Sequence, residues 1–268
     1  MYDNITRNFY GETLKNKDMA NLITARELYE ILIFDYKIKS LGGFIRFKLG
    51  DIDIAVKRRD IIGDVIQSWV AEWLERSRFD FIANPLPHRP PDIYLNKKNL
   101  RQNWLEIKAF NRADNPRFSI GVFEFFARDL IERPWHLDAD YLIFGYVVNE
   151  ETGMLKISDL WLKKIWEITK AMSTWPLTVQ LRNGVINEIR PCNWYSTRTR
   201  TKVFECLEDF LSAFRESLYR NSKTRFYAPR WEKKFKKAYK EHYGREIFIP
   251  RWQEIKNKYR IIESEITY

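Results

Sequence analysis

The chain has 268 residues, with 46 Lys+Arg against 36 Asp+Glu for a formal charge of +10; 45% of residues are hydrophobic and 16% aromatic, which excludes intrinsic disorder. Only 10 Gly and 10 Pro, with no internal repeat, exclude collagen-like, solenoid and linker-dominated architectures. The longest apolar run, 141–148, is far short of the roughly 20 residues that cross a bilayer, and the start at Met1 to Arg7 has no basic-then-apolar leader, so a cytoplasmic protein with no membrane association is expected. Cys192 and Cys206 are too few for a disulfide framework, and His88, His136 and His242 lack the spacing of a helical zinc site.

Residues 19–39 read as a helix, with Leu22, Ala25, Leu28, Tyr29 and Leu32 near helical spacing, and Gly42-Gly43 marks the turn after it. Over 44–56, Phe44, Phe47 and Leu49 precede Gly50-Asp51, and Ile52, Ile54 and Val56 follow it, the pattern of a hairpin. A helix is predicted at about 60–76 and a short strand at 79–82. The segment 84–91 reads as an extended loop, because its prolines lack the N–H that a helix or central strand requires. Residues 92–95 and 104–110 form two β-prone runs joined by the polar turn 96–99. A helix at 119–132 is stopped by Pro134. The continuously apolar 141–148 has the composition of a strand covered on both faces. Residues 154–158 are expected as its antiparallel neighbour, 159–170 as a short helix, 177–181 and 185–189 as a hairpin around Asn183-Gly184, and 203–219 as a longer helix. Phe123, Phe125, Phe126, Trp135, Trp161 and Trp166 are assigned to core packing. The alternation predicts an α/β (α+β) fold in one domain, with no linker along the chain.

The charge is uneven. From Arg215 onward there are 15 Lys+Arg and 7 Asp+Glu, so the last fifth of the chain carries +8 of the total +10. Trp231, Phe235, Ala238 and Tyr239 recur at helical spacing and are read as a core stripe, which leaves the intervening lysines outward, where they suit phosphates.

The informative constellation is Pro91-Asp92 followed by Glu106-Ile107-Lys108. Alternation along a strand points Glu106 and Lys108 to one face and Ile107 to the other. A hairpin between the two runs brings Asp92 beside Glu106, so two carboxylates and an ammonium converge. Such a set can hold Mg²⁺ with water and a phosphate oxygen in the remaining positions, while Lys108 orients a water or stabilises charge on phosphorus. The plainer alternative is an exposed cross-strand ion pair beside a turn-forming Pro-Asp.

In its order of elements the sequence resembles the PD-(D/E)XK nuclease superfamily, with the motif Pro91-Asp92 and Glu106-Ile107-Lys108 set between a preceding helix and a following helix and buried strand, over about Asp60 to Val148. The resemblance implies a restriction-endonuclease-like core, a mixed central β-sheet flanked by helices. It implies Asp92 and Glu106 as metal ligands, the Ile107 carbonyl as a further ligand, Lys108 as the catalytic lysine and Mg²⁺ as cofactor. Many members carry another acid on the preceding helix, and Asp64 is the candidate here, with Glu72 and Glu75 beyond it. The size and basicity are similar to an orthodox type II restriction endonuclease, and the segments 137–144, 161–168 and 189–194 are similar to the NgoBV/NlaIV-type enzymes, which cut GGNNCC.

On that likeness the whole of 1–268 is one endonuclease domain, its catalytic core at about 60–150, with 1–59 and 151–268 as elaborations for DNA binding and dimerisation. Double-stranded DNA is the expected partner. A homodimer follows from a palindromic target, and a DNA methyltransferase is expected in the same host. Asn111, Arg112 and Arg117, just past the catalytic strand, and Asn193, Tyr195, Arg198 and Arg200 in a polar loop are the candidate DNA contacts, though turns and solvated loops use similar residues. Two rivals remain open at the level of sequence: a structure-specific repair or junction nuclease of the same fold, and a DNA-binding protein without catalysis.

Overall fold

The structure is a computed structural model and describes residues 21–56, 61–86, 89–196 and 202–259. Helix α1 (Ala25–Glu30) opens on a reciprocal cap between Thr24 and Glu27, and a wider turn extends it to Asp35. Next come β1 (Gly42–Gly43), the hairpin β2 (Arg46–Leu49) and β3 (Ile52–Ala55), α2 (Ile62–Arg76), β4 (Ile82–Ala83), β5 (Ile93–Tyr94) and β6 (Trp104–Asn111). The chain continues through β7 (Gly121–Val122), α3 (Phe123–Glu132), β8 (Asp140–Val148), β9 (Leu155–Lys163), β10 (Val179–Arg182) and β11 (Val185–Ile189). It closes on α4 (Leu207–Arg220), α5 (Ala228–Tyr243) and α6 (Trp252–Tyr259).

The main sheet has six strands in the order β1-β9-β8-β6-β5-β4. Only β6 and β8 run parallel, joined by the crossover through α3, so the sheet is mixed and flanked by helices, as the α/β reading expects. Residues of β6 and β8 divide between two cores. Leu105, Ile107, Leu142 and Phe144 pack with α1 and α2, while Trp104, Phe110, Tyr141 and Ile143 pack with α3, α4, α5 and α6. Both faces of the central pair are therefore covered, which accounts for the unbroken apolar run in β8. Among the described residues no helix is long and apolar enough to cross a membrane.

Several expectations shift. The predicted helix at 159–170 is mostly strand: β9 runs to Lys163, and only Ile165–Ile168 turns, as a 3₁₀ helix. The cause is a bulge. Against β8, Ile157 faces Tyr146 and Asp159 faces Gly145, so Ser158 is an extra residue and the alternation changes phase there. Ile157 and Leu160 then share a face at a spacing of three, so 159–163 does not continue the period-two pattern of 154–158. The helix predicted to begin at Ser119 begins at Phe123, because Gly121–Val122 pairs with β11. The predicted start at Val203 moves to Leu207. Phe125, assigned to the core, is 62% exposed under the Arg128 guanidinium, on the side of α3 away from Phe123, Phe126 and Leu130. On α5, Trp231, Phe235 and Tyr239 are buried as expected, with the Trp231 indole donating to the Ala127 carbonyl, and Lys233, Lys234 and Lys237 point outward.

The bulge leaves little room at Gly145. A Cβ there would lie 2.6 Å from Arg112 Cδ and 3.0 Å from Trp161. Gly145→Ala is expected to lower the unfolding free energy by about 1–3 kcal/mol in urea titrations; wild-type stability would contradict this packing.

Candidate active site

The site is built where β5 leaves β6. Ile93 lies opposite Leu105 and Tyr94 opposite Trp104, and the pairing ends there, with Pro91 and Asp92 just before β5. Pro91, with no N–H, cannot donate a further rung to the ladder. The Ile107 N–H donates instead to Asp92 Oδ2 at 2.7 Å. Alternation along β6 sends Ile107 into the α2 side of the sheet and Glu106 and Lys108 to the other face. Lys108 Nζ lies 2.7 Å from Glu106 Oε2 and 3.7 Å from Asp92 Oδ2. The three charged groups expected from sequence therefore converge.

They are also withdrawn from water: Glu106 is 4% exposed, and the side chains of Asp92 and Lys108 are mostly covered. Burial first, and the Glu106 charge second, push the Asp92 carboxyl up to about 6, against the pull of Lys108 and the Ile107 N–H. Burial works against the Lys108 ammonium, but Glu106 and Asp92 outweigh it and carry its pKa up to about 12. The lysine is thus held as a cation.

Of the buried side-chain oxygens that lack a hydrogen-bond partner among the described residues, Glu106 Oε1 and the Tyr141 hydroxyl belong to this site. They belong to residues in register on neighbouring parallel strands. Burial, then Glu106 and Asp92, push the Tyr141 phenol well above the usual tyrosine range, so it remains a neutral donor beside the carboxylates. An unpartnered carboxylate oxygen in a buried site calls for a donor or a cation. With Asp92 beside it, this carboxylate donor set fits a hard divalent ion such as Mg²⁺.

The loop leading to Asp92 is stapled in place. Asn84 donates through Nδ2 to the carbonyls of Arg89 and Pro91, both at 2.8 Å, and its own N–H donates to the Asp92 carbonyl at 3.0 Å. Arg133, paired with Asp129, donates to the Pro90 carbonyl at 3.0 Å.

A chain with this sheet and this acid-acid-lysine set can be compared with proteins of known class. The family model for NgoBV restriction endonuclease matches residues 22–259. The chain belongs to the NgoBV restriction endonuclease family. It is 46% identical to the type II restriction enzyme NlaIV of Neisseria lactamica, over 89% of this chain and 98% of that protein. It is 38% identical to the type II restriction enzyme NgoBV of Neisseria gonorrhoeae, over 60% of this chain and 91% of that one. The solved structure of NlaIV restriction endonuclease superposes with a TM-score of 0.86 at 45% identity, covering 90% and 98% of the two chains.

In this restriction endonuclease the other candidate residues are placed unevenly. Asp64 is exposed on α2, whose Ile62, Ile66, Val70 and Leu74 pack on the sheet face opposite Glu106, so the structure does not bring it to the pair. Among the described residues no three His, Cys, Asp or Glu side chains converge as a metal site. The two polar segments singled out as DNA contacts do meet: Asn193 Nδ2 donates to Asn115 Oδ1 at 2.7 Å, and the Arg112 guanidinium lies 4.1 Å over the Tyr195 ring. Arg112 is further tied to Asp159 at 2.6 Å, and Asn111 is buried, accepting from the Ala113 N–H, so both brace the end of β6. Arg117 is exposed, and its carbonyl accepts from Arg190. Arg198 and Arg200 lie outside the described residues.

Sequence reasoning missed Tyr141, Asn84 and Arg133. The first was legible only from the β6–β8 register. Asn84 carried a local signal, since a proline-rich loop has carbonyls in excess of N–H groups and an Asn at its head can supply the donors.

The raised Asp92 pKa makes a pH-dependent stability test available. The folded carboxyl keeps its proton to about pH 6 while an unfolded aspartate loses it near pH 4, so metal-free stability falls as pH rises between those values. Asp92→Asn removes that loss while keeping an acceptor for Ile107. In metal-free urea melts the variant is expected to be more stable at pH 8 by roughly 1–3 kcal/mol, the gain vanishing below about pH 4. A variant no more stable than wild type at pH 8 would contradict the carboxylate crowding.

Proposed function

We propose that this enzyme hydrolyses phosphodiester bonds in double-stranded DNA at a short palindrome, GGNNCC, in a Mg²⁺-dependent reaction leaving 5′-phosphate and 3′-hydroxyl ends. The observation that carries the reading is the convergence of Asp92, Glu106 and Lys108 at one largely buried place on the sheet, with a Glu106 carboxylate oxygen left without a partner. Their spacing follows the PD-(D/E)XK pattern, and the target sequence follows from the likeness to the NgoBV/NlaIV-type enzymes.

Asp92, Glu106 and the Ile107 carbonyl would hold the metal, which when bound polarises the phosphorus and makes a water nucleophilic at neutral pH. The chain's own groups do the rest. Lys108, cationic throughout the working range, is no general base; it orients the attacking water and stabilises the extra negative charge on the pentavalent phosphorus. Tyr141, level with Glu106 on the neighbouring strand and held neutral, is a proton-bearing group beside the carboxylates. The water oxygen bonds to phosphorus, the bond to the 3′ oxygen breaks, and that oxygen leaves as a hydroxyl.

The catalytic core of this one domain is about 60–150, and the sequences on either side serve DNA binding and dimerisation. The outward lysines of α5 supply phosphate contacts whose strength falls with salt. Arg117 and the loop at Asn193 to Tyr195, with Arg198 and Arg200, approach the duplex. A palindrome presents two equivalent phosphates, which a homodimer addresses with one site each. A methyltransferase of the same specificity protects the host DNA.

Unmethylated phage DNA incubated with Mg²⁺ is expected to yield discrete fragments with ends within GGNNCC, none with EDTA. Asp92→Ala and Lys108→Ala should slow cleavage on the order of 10³-fold or more. Cleavage at branched structures without discrete bands would indicate a structure-specific nuclease. Salt-sensitive binding with no cleavage by wild type would indicate a binding protein.

A further inference from the structure

The β2–β3 hairpin stands out from the rest of the surface. Its register pairs Phe47 with Ile54 and Leu49 with Ile52, which places these four apolar side chains on one face, while Arg46, Lys48 and Asp53 occupy the other, Arg46 and Asp53 as an ion pair. A soluble hairpin normally turns its apolar face inward. Here Phe47 is 55% exposed, Leu49 72%, Ile52 66% and Ile54 51%. The face is not detached from the core: the Val56 N–H donates to the Ile45 carbonyl, continuing the ladder inward, and Ile45 packs against the core beside α1 and α2. Gly50, at φ +63°, makes the tight turn at the tip. The hairpin is therefore an amphipathic arm whose apolar face begins in the core and runs out into solvent.

At the root of the arm is a largely apolar groove walled by Tyr36, Leu41, Phe44, Val65 and Trp69, with Ile45 shared between groove and arm. Leu41, Phe44 and Val65 are themselves 37–52% exposed. At roughly 150–200 Å² for a large apolar side chain, the four arm residues expose on the order of 400 Å² and the groove walls a further 300 Å². Monomeric proteins rarely leave such a patch uncovered.

We infer that the arm is the dimerisation element, the apolar face of each copy's hairpin lying in the groove at the root of its partner's hairpin. Three observations select a second copy of this chain. The apolar face carries no cation, whereas a DNA-binding face on a chain of this charge would, so the duplex is not its occupant. One copy has both an apolar projection and an apolar recess, so two copies related by a twofold axis satisfy both at once. Each copy would contribute about 700 Å² of apolar surface, near the roughly 800 Å² per partner of a standard interface. The requirement for a second copy rests on the proposed cleavage of a palindrome; the assignment of the arm rests on its own geometry.

Sedimentation equilibrium of the full chain, without DNA or metal, tests this. Wild type is expected to be dimeric at micromolar concentration. The double substitution Leu49→Lys and Ile52→Lys, at exposed positions near the tip, should raise the dissociation constant at least about 100-fold with an unchanged circular dichroism spectrum, and Lys48→Glu on the polar face should remain dimeric. A monomeric wild type would overturn the inference. A double variant that stays dimeric would overturn it too. Because the readout uses neither DNA nor metal, an arm-dependent dimer that never cleaves DNA contradicts the nuclease reading alone, and cleavage by a protein that is monomeric throughout contradicts the arm alone.

Discussion

Two carboxylates and one ammonium share a nearly dry patch of one sheet face, and the interruption of a single β-ladder puts them there. Where β5 pairs with β6, backbone bonds run between them; at Pro91 the next bond has no donor, and Asp92 turns its carboxylate to the Ile107 N–H instead. Without a cation the cluster carries a surplus negative charge in a site that disfavours it, which is why the Asp92 carboxyl rises to about 6. Lys108 compensates for one carboxylate but not both. The arrangement is electrostatically incomplete alone, and the proposed divalent ion would complete it.

Much of the remaining structure holds that patch still. Strand β8, buried on both faces, supplies a rigid parallel neighbour and sets Tyr141 level with Glu106. Asn84 and Arg133 tie down the proline loop that delivers Asp92. Beyond the far end of β6, the cation-π contact of Arg112 with Tyr195 and the bond between Asn193 and Asn115 gather two polar loops from distant parts of the chain. Glu106 and Lys108 thus sit on a central strand and Asp92 on the tied loop that enters β5, while most of the candidate DNA-contacting groups sit on loops, the division expected when chemistry needs precision and recognition needs reach.

The acid-acid-lysine geometry was legible because it depends on local rules: strand alternation sets Glu106 and Lys108 on one face, and a hairpin returns the chain to Asp92. The buried strand at 141–148 and the hairpin around Asn183-Gly184 were legible for the same reason. What failed depended on partners that sequence does not display. The β9 bulge at Ser158 exists because of the register against Gly145 and Tyr146, and the change of phase there hides that 159–163 continues the strand. Phe125 looks like its buried neighbours Phe123 and Phe126 until the orientation of α3 is known. Asp64 occupies a plausible turn of the preceding helix, yet that helix packs on the wrong face of the sheet to deliver it. The hairpin at 44–56 is legible from its alternation and Gly50-Asp51, but alternation alone says that one face is apolar and not that it is left in solvent.

The most direct test of the charge cluster is to locate a bound ion. Crystals grown with Mn²⁺ and recorded at its absorption edge should show an anomalous peak within coordinating distance, about 2.0–2.4 Å, of Asp92, Glu106 and the Ile107 carbonyl, and no such peak in a Glu106→Gln crystal. A peak that bypasses these oxygens, or one undiminished in Glu106→Gln, would contradict the assignment of this patch as the metal centre.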